Sequence, residues 1–474
     1  MKTEGGEHLG GAVVPGASLF RAYDIRGVVD DGLSAGVVEQ IGRAIGSEAL
    51  SRNCPRVVVG RDGRLSSPEL AQALARGLLA AGCDVIDIGM VPTPVTYFAT
   101  SLLGTGSGVQ VTGSHNPPDY NGLKIMLGGE TLYGDAITGL RDRIVEGRLS
   151  AGAGSLEQRD VVPDYLDRLC SDIQLARPCR VVVDCGNGVS GELAPETLRR
   201  LGCEVEELYC EIDGRFPNHH PDPSDPHNLV ELIERVVAGS ADLGLAFDGD
   251  GDRLGVVDSQ GKIIWPDRQM MAFALDVLEQ RPGSEIIFDV KCTGHLGRLV
   301  EEAGGQASMW RTGHSLIKAR LKETGAPLAG EMSGHIFFND RWGGFDDGLY
   351  AAARLLDILS RSDLGSADLF DRFPDPLSTP EIKVNMREGE PPLLIERLLT
   401  LPADPDARRV TVDGLRLDFD DGWGLVRASN TTPCLVLRFE ADNADALARI
   451  QARFRERMLQ VWPGLVIDFG DTAA

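Results

Sequence analysis

A short run rich in β-branched residues occurs three times in this chain, ending in a glycine-bearing turn in the first two copies, and each copy opens the same series of elements. The copies are Val57-Val58-Val59-Gly60-Arg61-Asp62-Gly63, Arg180-Val181-Val182-Val183-Asp184-Cys185-Gly186-Asn187-Gly188, and Ile286-Ile287-Phe288-Asp289-Val290-Lys291. A helix is expected after the first. Ser67 can cap it, Pro68 suits its first position, Leu70, Leu74 and Leu78 recur at helical spacing, and Gly82 closes the pattern. The helices end in related turns, Ala81-Gly82-Cys83-Asp84-Val85, Leu201-Gly202-Cys203-Glu204-Val205 and Ala303-Gly304-Gly305. In the middle copy a second helix places Leu229, Leu232, Ile233, Val236 and Val237 on one face. A repeated βαβαβ pattern predicts an α/β fold with three similar domains built on mixed sheets.

Each copy's last strand runs into a polar loop. The loops are Thr112-Gly113-Ser114-His115-Asn116-Pro117-Pro118, Asp248-Gly249-Asp250-Gly251-Asp252-Arg253 and Gly330-Glu331-Met332-Ser333-Gly334-His335. Ligand sites of α/β sheets lie at the carboxyl ends of strands, so the three loops are expected around one central cleft. Packing alone does not call for a serine, three aspartates and a glutamate at corresponding places.

From about Ser378 the pattern changes. Alternation in Ile382, Val384 and Met386, in Leu415, Leu417 and Phe419, and in Leu435, Leu437 and Phe439 predicts half-buried strands, with a last helix packing through Leu447, Ile450 and Phe454. This is a C-terminal α+β domain with a largely antiparallel sheet. The expected domains are 1–160, 161–262, 263–375 and 376–474, with residues 1–17 a Gly-rich loose arm. In the last domain the loop Arg427-Ala428-Ser429-Asn430-Thr431-Thr432 offers a guanidinium, hydroxyls and an amide, a set that suits a phosphate dianion.

Charge narrows the partners. Asp and Glu total 71 against 47 Lys and Arg, a net charge of -24, which argues against binding nucleic acid or anionic membrane. An anionic ligand must then be held by local basic groups. Nine scattered cysteines without a CxxC pair suit a reducing cytoplasm. No apolar run is long enough to span a bilayer, and Glu4 and Glu7 are at odds with a signal peptide. A cytoplasmic protein with small-molecule partners is expected.

The loops suggest a chemistry. Asp248, Asp250 and Asp252 alternate with glycines, so three hard oxygen donors can converge as magnesium ligands. An EF-hand calcium loop fails, since its sixth position is Arg253 and its twelfth Ser259. A cation there would make Ser114 intelligible as a phosphoryl carrier. Lys124 and His314 are candidates for proton handling at the acceptor hydroxyl.

Four stretches together, TGSHNPPDYNGLK from Thr112 to Lys124, DGDGDR from Asp248 to Arg253, GEMSGH from Gly330 to His335 and RASNTTP from Arg427 to Pro433, resemble the α-D-phosphohexomutase superfamily. The likeness runs from about Phe20 nearly to the C-terminus and is strongest to bacterial members acting on mannose and glucose phosphates. It implies a four-domain monomer in which each domain gives one loop to a deep cleft. Ser114 would be the phosphoserine, and Asp248, Asp250 and Asp252 would bind Mg2+ with an oxygen of its phosphate. Glu331 and Ser333 would grip sugar hydroxyls. Arg427, Ser429, Asn430 and Thr431 would hold the non-reacting phosphate, with Tyr23, Lys291 and His314 helping. Arg26, His115, Lys124 and Arg253 would surround the reacting group, with Lys124 preferred as general acid or base. The implied reaction passes through a hexose 1,6-bisphosphate that turns round in the cleft. Met332 and the form of the serine loop favour mannose and glucose phosphates. A phosphoglucosamine mutase is the main alternative and a sugar-phosphate phosphatase a lesser one.

Overall fold

The computed structural model describes residues 8–9, 12–430 and 432–469. Its first three units share one topology. In the first, the parallel strands Asp84–Met90, Arg56–Arg61 and Gly108–Val111 lie side by side, and Tyr120–Leu127 adds antiparallel to the third. The second repeats this with Glu204–Leu208, Arg180–Asp184, Leu243–Phe247 and antiparallel Leu254–Asp258. The third does so with Gln306–Trp310, Glu285–Asp289, Leu328–Gly330 and antiparallel Ile336–Phe338. The three signature loops are therefore one element used three times, the turn by which the third strand reverses into the fourth.

Local sequence explains the scaffold. Arg180–Asp184, Leu243–Phe247 and Glu285–Asp289 are covered on both faces, so they read as continuous apolar runs rather than alternating ones. The helix Ser67–Ala81 buries Leu70, Leu74 and Leu78 and stops at Gly82, whose φ of 104° an L-residue rarely adopts. Ser67 does not cap this helix. It is the first helical residue, and its hydroxyl donates instead to Asp62 Oδ1 at 2.5 Å. In the helix Val230–Gly239, Leu232 and Val236 are buried, but Val237 is 52% exposed and Leu229 belongs to the preceding 3-10 turn. The apolar face is thus narrower than the sequence pattern suggests.

One continuous apolar core links the first three units, running from Val58 and Val95 through Tyr165 and Val181 to Phe338 and Leu355. The C-terminal domain has a core of its own, in which Leu417, Leu437 and Phe439 meet Leu447, Ile450 and Phe454 of the helix Ala444–Val461. Its strands pair antiparallel throughout. The strand Gly422–Ala428 was not expected, and it takes in Arg427 and Ala428, so the phosphate-type loop begins only at Ser429. Of the N-terminal arm, His8–Leu9 pairs with Ala12–Val13, while residues 1–7, 10 and 11 lie outside the described residues. Among the described residues no helix is long and apolar enough to cross a membrane.

Candidate active site

The serine loop is held from beneath. Arg64, 2% exposed, donates to four backbone carbonyls: Ser114 at 2.7 Å, Asn116 at 2.6 Å, Pro117 at 2.5 Å and Tyr120 at 3.0 Å. Asp62 accepts from Thr112 Oγ1 at 2.8 Å and from the Gly113 amide at 3.2 Å. A Cβ on Gly113 would stand 2.6 Å from the Arg64 guanidinium carbon, so only glycine admits this clamp. Ser114 itself takes φ of 48°. Replacing Arg64 by Leu strands four acceptors around a buried void, and we expect a loss of about 3 kcal/mol of stability in urea unfolding. A loss well under about 1 kcal/mol, the scale of one ordinary hydrogen bond, would contradict the clamp.

Ser114 Oγ donates to Asp248 Oδ2 at 2.9 Å and lies 3.2 Å from His115 Nδ1. This crosses two domains, and the contact is tight: a Cβ on Gly249 would come within 2.3 Å of the Ser114 carbonyl oxygen. Asp248, Asp250 and Asp252 are all fully buried and offer oxygens within 4.8 Å of one another. Lys124 Nζ donates to Asp250 Oδ2 at 2.7 Å and to Asp252 Oδ2. Thr93 Oγ1 also donates to Asp250. Burial and the neighbouring Asp250 and Asp252 push the Asp248 carboxyl well above its ordinary range. Asp250 Oδ1 has no hydrogen-bond partner among the described residues, and Asp252 Oδ1 has only the His335 ring at 3.3 Å, outside hydrogen-bonding geometry. Crowded, under-satisfied carboxylate oxygens are a donor set that fits a hard divalent cation.

Cations ring the same spot. Burial, with Arg253, Arg26 and Lys124 adding to it, holds the His115 imidazole well below its usual value. Arg26 binds Asn116 Oδ1 and Asp24. Arg253 and His335 form a β-bridge that ties the acidic loop to the Glu331 loop, with Arg253 Nε 3.3 Å from His335 Nε2.

In the third loop Glu331, buried, accepts from the Gly313 amide and lies 3.4 Å from His335 Nδ1, while Ser333 Oγ is 2.9 Å from that nitrogen. His314 stacks on His335 at 5.4 Å and faces Asp346 at 3.5 Å, and Lys318 donates to Asp346 at 2.8 Å. Burial and Lys318 keep the His314 ring below its ordinary value. His335, quoted in the sequence motif without a role, joins Asp252 to Glu331 and Ser333. Its signal was there, an i,i+4 spacing from Glu331 inside the motif. Burial alone would lower its ring, but Asp252 outweighs burial and holds it at about 9 against an ordinary 6.5. The folded chain thus keeps a proton that the unfolded chain releases near 6.5. The stability so gained is whole below pH 6.5 and is lost as pH rises through 9. In chelator-treated protein the unfolding free energy should fall over that window, and His335→Gln should remove the slope.

The fourth group comes from the C-terminal domain and meets the first unit at Tyr23. Tyr23 donates to the Thr312 carbonyl at 2.8 Å and accepts from Asn430 Nδ2, joining three domains at one hydroxyl. Arg427 Nε is held by Asp413 at 2.9 Å, while its Nη2 is buried without a partner among the described residues. Lys291 Nζ donates to Glu381 at 2.5 Å, and Ser429 Oγ is 3.1 Å from Thr432 Oγ1. Thr431 lies outside the described residues.

Three α/β units of one topology with their three loops in contact, and an antiparallel fourth domain whose loop meets Tyr23, are the architecture of the phosphohexomutases. The chain belongs to the phosphoglucomutase/phosphomannomutase family: profiles of its α/β/α domains I, II and III and of its C-terminal domain match residues 17–149, 163–261, 265–376 and 381–457. It is 57% identical to a phosphomannomutase/phosphoglucomutase of Pseudomonas aeruginosa over 96% of this chain and 98% of that one. A phosphoglucomutase of Neisseria gonorrhoeae is 52% identical, over 92% and 96%. Among solved structures, a phosphoglucomutase/phosphomannomutase family protein from Burkholderia thailandensis superposes with a TM-score of 0.91 at 55% identity, covering 95% of this chain and 99% of that one. An N-acetylphosphoglucosamine mutase of Aspergillus fumigatus in complex with glucose 1,6-bisphosphate shares the fold, with a TM-score of 0.57 at 14% identity over 95% and 98%.

Proposed function

We propose that this chain is an isomerase, a phosphomannomutase/phosphoglucomutase that exchanges phosphate between the 1- and 6-positions of mannose and glucose phosphates. Ser114 carries the phosphoryl group, and a hexose 1,6-bisphosphate is the intermediate. The observation that carries this reading is the Ser114 hydroxyl bonded to Asp248 inside a cluster of three buried aspartates. A binding protein has no use for that pairing. The domains are taken as 1–160, 161–262, 263–375 and 376–474, working as a cytoplasmic monomer.

Asp248, Asp250 and Asp252 would hold Mg2+ together with an oxygen of the Ser114 phosphate. When bound, magnesium supplies charge neutralisation for the phosphoryl group in flight. In the forward half-reaction the Ser114 Oγ–P bond breaks as a bond forms from phosphorus to a sugar hydroxyl oxygen. The hydroxyl proton passes to a base beside the sugar, and the serine oxygen takes up a proton as it leaves, so that Ser114 returns to its hydroxyl beside His115 and Lys124. Lys124 is poised for proton work only once released from Asp250 and Asp252, since burial, which lowers its affinity for a proton, is outweighed by those carboxylates. His335, in contact with Glu331 and Ser333 that would take the sugar hydroxyls, is a second proton-handling group and better placed than His314, which touches neither of them. Arg427, with one guanidinium nitrogen unpartnered among the described residues, would bind the idle phosphate with Ser429, Asn430, Thr431, Lys291 and Tyr23. The reverse half-reaction returns the other phosphate to Ser114 after the bisphosphate turns round.

The test is conversion of mannose 1-phosphate and glucose 1-phosphate to their 6-phosphates, with Mg2+ and a trace of hexose 1,6-bisphosphate, while inorganic phosphate is assayed in parallel. Turnover of both sugars without stoichiometric phosphate release is expected. Release matching sugar consumption would make the protein a phosphatase. Turnover of glucosamine phosphate alone would move the substrate.

A further inference from the structure

The C-terminal domain has its own core, yet it grips one short stretch of the third unit, 290–294, through that stretch's backbone. Arg416 Nη1 donates to the carbonyls of Val290 at 2.6 Å and Cys292 at 2.7 Å. Arg438 Nη1 donates to the carbonyl between them, that of Lys291, at 2.5 Å. Glu440 Oε1 accepts from Thr293 Oγ1 at 2.8 Å and from the Gly294 amide at 3.3 Å. Val290 itself packs into a small apolar cluster with Trp423 and Leu425.

Neither arginine is incidental. Arg416 is fully buried, its guanidinium 3.8 Å from the centre of the Trp423 ring and its Nε fixed by Asp418 at 2.7 Å. Arg438 is 4% exposed and lies 3.6 Å from Asp267. Two buried guanidiniums are costly to desolvate, and here the acceptors that repay the cost are three consecutive peptide carbonyls rather than carboxylates alone. A backbone so held cannot rotate its peptide planes without breaking charge-assisted bonds. The third unit holds the opposite edge of the same stretch, with the Val290 amide on the Trp310 carbonyl and the Thr293 amide on Asp267. The residue at the centre of the grip is Lys291, whose side chain also crosses to the C-terminal domain at Glu381.

We propose that Arg416 and Arg438 are positioning residues that lock Lys291 to the C-terminal domain, so that its ammonium and the Arg427 guanidinium present themselves to the idle phosphate as one unit. The inference rests on the reading of that region as a phosphate holder. It adds that Lys291, carried by the third unit in sequence, is set mechanically by the fourth. Uniform binding of this kind appears in affinity rather than in the chemical step.

The test is a pair of double-mutant cycles read as the Kd of glucose 1-phosphate by calorimetry, with kcat measured alongside. Arg438→Gln and Arg416→Lys are each combined with Lys291→Met in the full chain. Each arginine variant alone should weaken binding about tenfold, with kcat changed by about twofold or less. In the Lys291→Met background the same change should add about twofold or less, since the arginines act through Lys291. Arg416→Lys keeps the charge beside Asp418, so one of the two cycles survives if Arg438→Gln does not fold. Full multiplication of the two effects in proteins of unchanged Tm, or no effect of either arginine on Kd, would overturn the proposal. Additive cycles in a protein that still turns over hexose phosphates would sink this inference alone. Loss of all turnover in the wild type with a non-additive cycle would sink the reaction and leave the grip standing.

Discussion

Ser114→Ala should lower turnover of both mannose and glucose 1-phosphates by roughly 10^4-fold or more, the scale seen when a covalent nucleophile is removed. The substitution deletes one oxygen. Its bonds to Asp248 and its approach to His115 disappear, but the backbone does not change, because Arg64 and Asp62 hold the loop through carbonyls and amides that alanine retains. Alanine is also no worse than serine at φ of 48°. Affinity for glucose 1-phosphate should stay within a few-fold of wild type, since Arg427, Lys291 and Glu331 are untouched. A variant that retains even one tenth of the wild-type rate would remove Ser114 from the mechanism.

The second large effect concerns the acidic cluster. Chelation should reduce turnover by about 10^3-fold, equivalent to ~4 kcal/mol of transition-state stabilisation. It should leave the fold intact, because Lys124 remains between Asp250 and Asp252. Lys124→Met removes that internal cation and leaves three buried carboxylates facing one another. In chelator the variant should lose about 3 to 5 kcal/mol relative to wild type, the cost of breaking a buried ion pair from one side. Millimolar Mg2+ should then raise its Tm more than it raises that of wild type, because a ligand that binds only the folded state stabilises it by mass action. A variant whose Tm does not respond to Mg2+ would show that these aspartates do not bind the ion.

What was legible in the sequence was whatever is contiguous in it. The serine, aspartate, Glu331 and Arg427 loops are each a short run, and the repeated strand openings place the first three at corresponding ends of three sheets. What was not legible acts at a distance in the chain. Nothing local marks Arg64 as the support of a loop some fifty positions away, or Thr93 as a partner of Asp250. Asp346 was missed for the same reason. It follows the sugar loop, yet its charge is matched by Lys318, and its ring neighbours are His314 and His335. The Ser67 cap failed because a tertiary acceptor, Asp62, competed for the hydroxyl. Val237 failed because a helix with apolar residues on adjacent positions can turn only some of them inward. The C-terminal domain was recognised from strand alternation, but Gly422–Ala428 was overlooked, since its two glycines and its arginine break the expected pattern.

The most direct measurement is of the phosphoryl group itself. The protein is incubated with hexose 1,6-bisphosphate labelled in phosphate, digested, and the labelled peptide identified before and after a chase with unlabelled glucose 1-phosphate. The account predicts label on the peptide that contains Ser114, discharged by the chase into sugar phosphate. Label on any other residue, or discharge of the label as inorganic phosphate, would contradict it.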